Sequence, residues 1–152
     1  MNGIEVQVAC DASDLPAAEA MRGWVKAALE PQNVDRALLV RIVTGEEMRS
    51  LNHRFRGLDK TTNVLSFAWD SPPGVDGEQD ALGDLVVCDS VVREEARLQN
   101  KPLMAHYAHM IVHGTLHLQG YDHETADQAG RMESLETQIL EGLGYADPYR
   151  VS

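Results

Sequence analysis

The stretch from His113 to His123, HGTLHLQGYDH, constrains this chain more than any other. It closes an apolar-periodic run, Leu103–Leu118, that begins after Pro102, a residue suited to the first turn of a helix. His113 and His117 are four residues apart, so on a helix they lie about 40° apart in azimuth and one turn apart in height. Gly120 is the predicted stop, because glycine reaches the positive φ that turns a chain back on itself. His123 then returns from outside the helix as a third imidazole. Any fold this chain adopts has to bring a helix end and its following turn together around one point. The pattern H-x-x-x-H-x-x-G-x-x-H therefore predicts a metal site at His113, His117 and His123.

Three neutral imidazoles with no thiolate point to one Zn²⁺ per chain, with Ni²⁺ or Co²⁺ as substitutes in a preparation. Three protein ligands leave a fourth position for water, the mark of a catalytic site. Neutral ligands keep the full +2 charge on the ion, so the pKa of that water falls to about 7. Metzincin proteases share the spacing but carry a glutamate directly after the first histidine as general base. Here that position is Gly114, which removes the base a protease needs. His109 extends the i, i+4 series, but a face turning about 40° per step aims poorly at one point over three steps. It is expected to pack behind the ligands. His106 and His53 have no metal partner at a recognisable spacing, and Asp122 and Glu124 flank His123 as groups able to orient an imidazole or the water.

The remaining chain reads as one α+β domain spanning residues 1–152, a small mixed four-stranded sheet packed with about five helices and carrying the zinc site at the end of a central helix. Gly3–Ala9 alternates as a half-buried strand, and Leu15–Leu29 has helical spacing with Ser13 or Asp14 as its cap and Pro31 as its stop. Ala37–Val43 is a β-branched second strand. Thr44 and Glu47 form a capping-box pattern for a helix running to about Arg54. Asn63–Phe67 is a short strand, Asp70–Leu82 reads as a surface loop, and Leu85–Val87 lies in a fourth strand. Ser90–Gln99 and about Thr125–Leu143 complete the helices. Cys10 and Cys88 stand far apart, without a C-x-x-C, and imply neither a disulfide framework nor a thiolate zinc site.

Charge argues against a broad polyanion face. The chain has 13 Lys and Arg against 24 Asp and Glu, a net −11, whereas non-specific nucleic-acid binding leans on Lys and Arg. The exception is Arg49 to Lys60, where Arg49, Arg54, Arg56 and Lys60 face Asp59 alone. A basic island on an acidic protein suits one defined anion. No apolar run reaches the roughly 20 residues of a membrane span, and the opening residues lack the basic and apolar regions of a signal peptide. A cytoplasmic location is expected.

With these residues on the page, the sequence resembles the YbeY family. HGTLHLQGYDH carries the resemblance together with LNHRFRGLDKTTNVLSF, LGDLVVC and MESLETQILEGLGYADPY, over roughly Leu51 to Tyr149. The resemblance implies a bacterial single-strand-specific endoribonuclease of 16S rRNA 3′-end maturation and ribosome quality control, with zinc on the three histidines. It also implies a functional arginine in N-x-x-[YF]-R-G, here Arg56; Thr61 departs from the pattern, where proline is equally expected. Arg56 then clamps substrate phosphate, with Arg54 and Lys60 as weaker members of the same surface and His113 as a catalytic as well as a ligating residue. The nucleophile is zinc hydroxide or the RNA 2′-OH, the former preferred because no partner base is evident. The implied partners are single-stranded RNA, the 16S rRNA precursor, and the ribosome or a ribosome-associated protein that offsets the repulsion of a −11 chain; neither membrane nor DNA is expected. Two alternatives remain at this stage: a zinc hydrolase of another bond, and a non-catalytic ribosome-assembly factor stapled by the ion.

Overall fold

The structure, a computed structural model, describes residues 3–68 and 81–149. The strands are β1 (Ile4–Ala9), β2 (Ala37–Val43), β3 (Val64–Ala68) and β4 (Ala81–Cys88). The helices are α1 (Ala18–Ala28), α2 (Gly45–Arg56), α3 (Asp89–Leu98), α4 (Leu103–Leu118) and α5 (Ala126–Gly142), with a 3₁₀ turn at Pro31–Asn33. The sheet order is β1-β2-β4-β3. The first three strands in that order run parallel, and β3 pairs antiparallel with β4. The expected small mixed sheet with five helices is what forms.

Period-two side-chain alternation divides the core between the two faces of the sheet. Leu38, Val40, Ile42, Leu85 and Val87 join Met21, Trp24 and Val25 of α1 and Ile111 and Val112 of α4 in the larger cluster. Val43, Leu65, Val86 and Cys88 turn to the other face, where Met48 of α2 covers them. The unbroken apolar run Leu85–Cys88 is thus buried on both faces, as a central strand requires. Helix α4 packs against α1, α3, α5, β3 and β4, which explains why its composition is apolar almost all round.

Several boundaries differ from expectation for identifiable reasons. Strand β4 begins at Ala81, so Ala81 and Leu82 belong to the sheet rather than to a loop. The register slips between Ala37↔Ala81 and Leu38↔Gly83, a bulge that leaves Leu82 unpaired with β2. Gly83 and Asp84, which follow the bulge, have turn composition, which hid the start of the strand. Residues 70–80 of the predicted loop lie outside the described residues. Helix α1 starts at Ala18 with no side-chain cap, and Asp14 instead forms an ion pair with Arg93 of α3. At α2 only half of the capping box exists. Thr44 Oγ1 accepts from the Glu47 N–H at 3.1 Å, while the Glu47 carboxylate is taken by Arg41. The complete capping box is at Thr125 and Gln128, where α5 starts. Cys10 and Cys88 are both free thiols.

Gly83 has a φ of +152°, and a Cβ there would lie 2.3 Å from the Phe67 carbonyl oxygen and 2.7 Å from Leu118 Cδ2. Gly83→Ala is expected to destabilise the fold by about 2–4 kcal/mol, combining backbone strain with overpacking. Chemical denaturation should show this as a lower midpoint without a change in slope.

Candidate metal centre and its cleft

The histidine-bearing end of α4 is shaped by a close approach and a tight turn. Gly114 lies against the sheet, where a Cβ would come 2.8 Å from Leu85 Cδ2 and 3.2 Å from Ser66 Oγ. Ser66 of β3 donates to the Gly114 carbonyl at 3.2 Å. The residue that separates this chain from the metzincin pattern is therefore the one that seats α4 on β3 and β4. The helix then ends in a Schellman turn: Gly120 N–H donates to His117 O at 3.0 Å and Tyr121 N–H to Leu116 O at 3.2 Å. Gly120 takes φ +102° to make it. The chain reverses, and His123 comes back over the end of the helix.

The three imidazoles converge. One ligand atom from each of His113, His117 and His123 lies within 4.8 Å of the others, so the cluster could hold a metal ion. His113 and His117 are half-buried and His123 is exposed, leaving one side open to solvent. Burial pushes the His117 pKa below its ordinary value, and the neighbouring His113 and His123 add to the effect. A neutral imidazole keeps its lone pair for a cation. The position in the last turns of α4 also places the cluster near the partial negative charge of a helix C-terminus.

A cleft of about 650 Å³ opens over these histidines. Thr62 to Phe67, along β3, form one wall, and Phe55 and Arg56 at the end of α2 reach the same space. Arg56 is the last residue of α2; Gly57 follows in the left-handed conformation at φ 71°. Buried Asn52 fixes that turn, its Nδ2 donating to the Lys60 carbonyl at 2.9 Å while its backbone carbonyl accepts from Leu58 N–H at 3.3 Å. Arg49 is bound to Asp59 through two N–H···O contacts of 2.6 and 3.1 Å, which neutralises part of the basic island. Arg54 and Lys60 do not line the cleft; the Arg54 guanidinium lies 5.8 Å from the Phe55 ring centroid. Asp122 and Glu124 do line it.

Residues 7–144 match the protein-family model described as "Endoribonuclease YbeY". The chain belongs to the YbeY endoribonuclease family. Among solved structures it is similar to the solution structure of TM1509 from Thermotoga maritima, at 23% identity and a TM-score of 0.57, over 95% of this chain and 99% of that one. That likeness supports the fold. Family membership makes the chain a nuclease of the hydrolase class, with RNA as its substrate and rRNA processing as its setting.

One residue at this site escaped the sequence reading. Glu136, on α5 and 1% exposed, accepts from His113 Nδ1 at 3.3 Å through one carboxylate oxygen. The other oxygen accepts from His109 Nε2 at 2.6 Å and from the Tyr149 hydroxyl at 2.8 Å. Burial would raise the Glu136 pKa, but the hydrogen bonds from His109 and His113 outweigh it and hold the carboxyl at about 2. A proton kept on His113 Nδ1 leaves Nε2 free toward the cluster. For His113 the orienting carboxylate is Glu136, and His109 packs behind the candidate ligands by sharing it. The only sequence trace of this role is the spacing of the helical pattern, which puts Glu136 one position from the apolar stripe of Met132, Leu135 and Ile139. Behind the β3 wall a second carboxylate, Glu95, accepts from His106 at 2.9 Å and from Asn63 at 3.1 and 3.2 Å.

Replacing Glu136 by Gln should keep the fold while lowering the affinity for Co²⁺, a visible probe ion, by about 10- to 100-fold. Titration followed by ligand-field absorption and a competing chelator measures it directly.

Proposed function

We propose that this chain is a zinc-dependent endoribonuclease that hydrolyses phosphodiester bonds of single-stranded RNA, acting in 16S rRNA 3′-end maturation and ribosome quality control in the cytoplasm. The observation that carries the reading is the shared cleft: Arg56 and the three histidines border one space, although more than fifty residues separate them in sequence. In this reading the whole chain is one catalytic domain, and its partners are the rRNA precursor and the ribosome or a ribosome-associated protein.

The donor set fits zinc. Three imidazoles converge with no thiolate among them, one held in its tautomer by a buried carboxylate and one kept neutral by burial. Zinc held by His113, His117 and His123 would supply Lewis-acid polarisation and an acidified water. The chain's own groups supply the rest. Arg56 presents two parallel N–H donors to the non-bridging phosphate oxygens, where negative charge grows as the bond to phosphorus changes. Its seat at the end of α2, on a turn held by Asn52, limits how far that guanidinium can wander. Asp122 and Glu124, at the open side, are the carboxylates in reach of the cleft for proton transfer. Arg54 and Lys60, outside the cleft, serve as an electrostatic approach for the strand. No described helix is long and apolar enough to cross a membrane, and RNA rather than lipid is the anion this basic island meets.

Two substitutions test the assignment on nuclease-free protein. His117→Ala should lose most of its zinc by elemental analysis and its RNA cleavage with it, because two imidazoles hold the ion poorly; full zinc occupancy would remove His117 from the ligand set. Arg56→Lys should keep zinc and thermal stability yet lose tenfold or more of its cleavage rate, since an ammonium keeps the charge without the planar fork, on the order of 1.4 kcal/mol or more of transition-state stabilisation. Unchanged cleavage by Arg56→Lys would take the arginine out of the mechanism.

A further inference from the structure

Among the cleft side chains that the mechanism leaves unused, one is an exposed aromatic ring. Phe55 is 59% exposed, although it is a large apolar group. Exposing it costs the fold the gain that burial of a phenylalanine normally brings. It stands directly before Arg56 and lines the same cleft as His113, His117 and His123. Its ring is held in place: Phe67 of β3 packs against it edge-to-face, with centroids 5.3 Å apart and an interplanar angle of 63°. The Arg54 guanidinium approaches the ring at 5.8 Å. An exposed aromatic ring braced by a second ring, with one arginine beside it and another next in the chain, is what a nucleobase meets in proteins that bind single strands.

We propose that Phe55 is a base-stacking platform, on which an unpaired nucleobase next to the cleaved phosphate lies while Arg56 holds that phosphate. The inference rests on the endoribonuclease reading and deepens it by naming the element that selects single strands. In a duplex each base is stacked between its neighbours and its face is not available to a side chain. A splayed base offers that face, and any of the four bases serves because stacking reads the ring and not its edge. The geometry of the wall supports this. Among the described residues β3 has a strand partner only on its β4 side, and Thr62 to Phe67 line the cleft, where base edges would come.

The test compares zinc-loaded parent, Phe55→Leu and Phe55→Tyr proteins. Phe55→Leu keeps an apolar side chain, and Phe55→Tyr keeps the ring. Two short single-stranded oligonucleotide probes are used, one carrying 2-aminopurine as a reporter of stacking and one with the same phosphates but abasic sugars. Melting temperature and zinc content are recorded on each preparation. The expected result is that the parent quenches 2-aminopurine and Phe55→Leu does not, with affinity for the base-bearing strand lower by about 5- to 100-fold. Binding of the abasic strand should stay equal among the three proteins, and Phe55→Tyr should restore quenching and affinity. Equal quenching and affinity for parent and Phe55→Leu would overturn the platform while leaving the nuclease reading intact. Equal losses on both probes would also overturn it, since they would assign Phe55 to the shape of the cleft. A parent protein that neither binds nor cuts any single-stranded RNA would overturn the endoribonuclease reading and the platform together.

Discussion

Helix α4 can carry two imidazoles into the cleft only because it lies so close to the sheet. Gly114 sits between His113 and His117, and its missing side chain lets Leu85 and Ser66 approach to distances that a Cβ would not permit. The same contact sets the height of both histidines above β3, the strand that forms the cleft wall. Packing and chemistry are therefore one constraint. A larger residue at this position would lift the helix, and the histidines would move away from the wall and from His123. The helix is buried along most of its length, so little else in the molecule can move to compensate.

The second constraint is electrostatic. An ionised carboxylate buried alone is costly, by several kcal/mol even after relaxation. Glu136 is tolerated because it accepts hydrogen bonds from His109, His113 and Tyr149. These donors come from α4 and from the segment after α5, so one buried charge ties the C-terminal third of the chain to the candidate ligands. The role of α5 is then more than coverage of the core: it delivers the group that orients His113. Such a network loses more than one bond when a member is removed, because the others are left with unmet polar groups in a dry environment.

The cleft also reconciles an acidic protein with an anionic substrate class. The net −11 is a property of the whole surface, whereas binding depends on the charges within about a Debye length, roughly 8–10 Å. Arg49 is occupied by Asp59, while Arg56 reaches the cleft and Arg54 stands beside it on Phe55. Among the described residues Arg56 is the one arginine lining the cleft, beside the carboxylates Asp122 and Glu124. That arrangement suits one phosphate and its neighbours better than a long helical backbone.

The local features were legible in the sequence because their causes are local. The stop of α4 at Leu118, the glycine turn at Gly120 and the convergence of His113, His117 and His123 follow from helical periodicity and from glycine's access to positive φ within eleven residues. Elements misread were those whose local composition contradicts their tertiary setting. The bulge at Leu82 and Gly83 looks like a turn but is held in a sheet by β2, and Asp14 looks like a cap but is claimed by Arg93. What only the tertiary structure decided is which distant groups share a space: Arg56 with the histidines, Glu136 behind His113, Phe55 exposed in the cleft while Arg54 and Lys60 lie outside its walls. Spacing along a chain encodes direction within one helix or turn. It does not encode which faces of separate elements meet, because that is settled by burying the apolar surface of all of them at once.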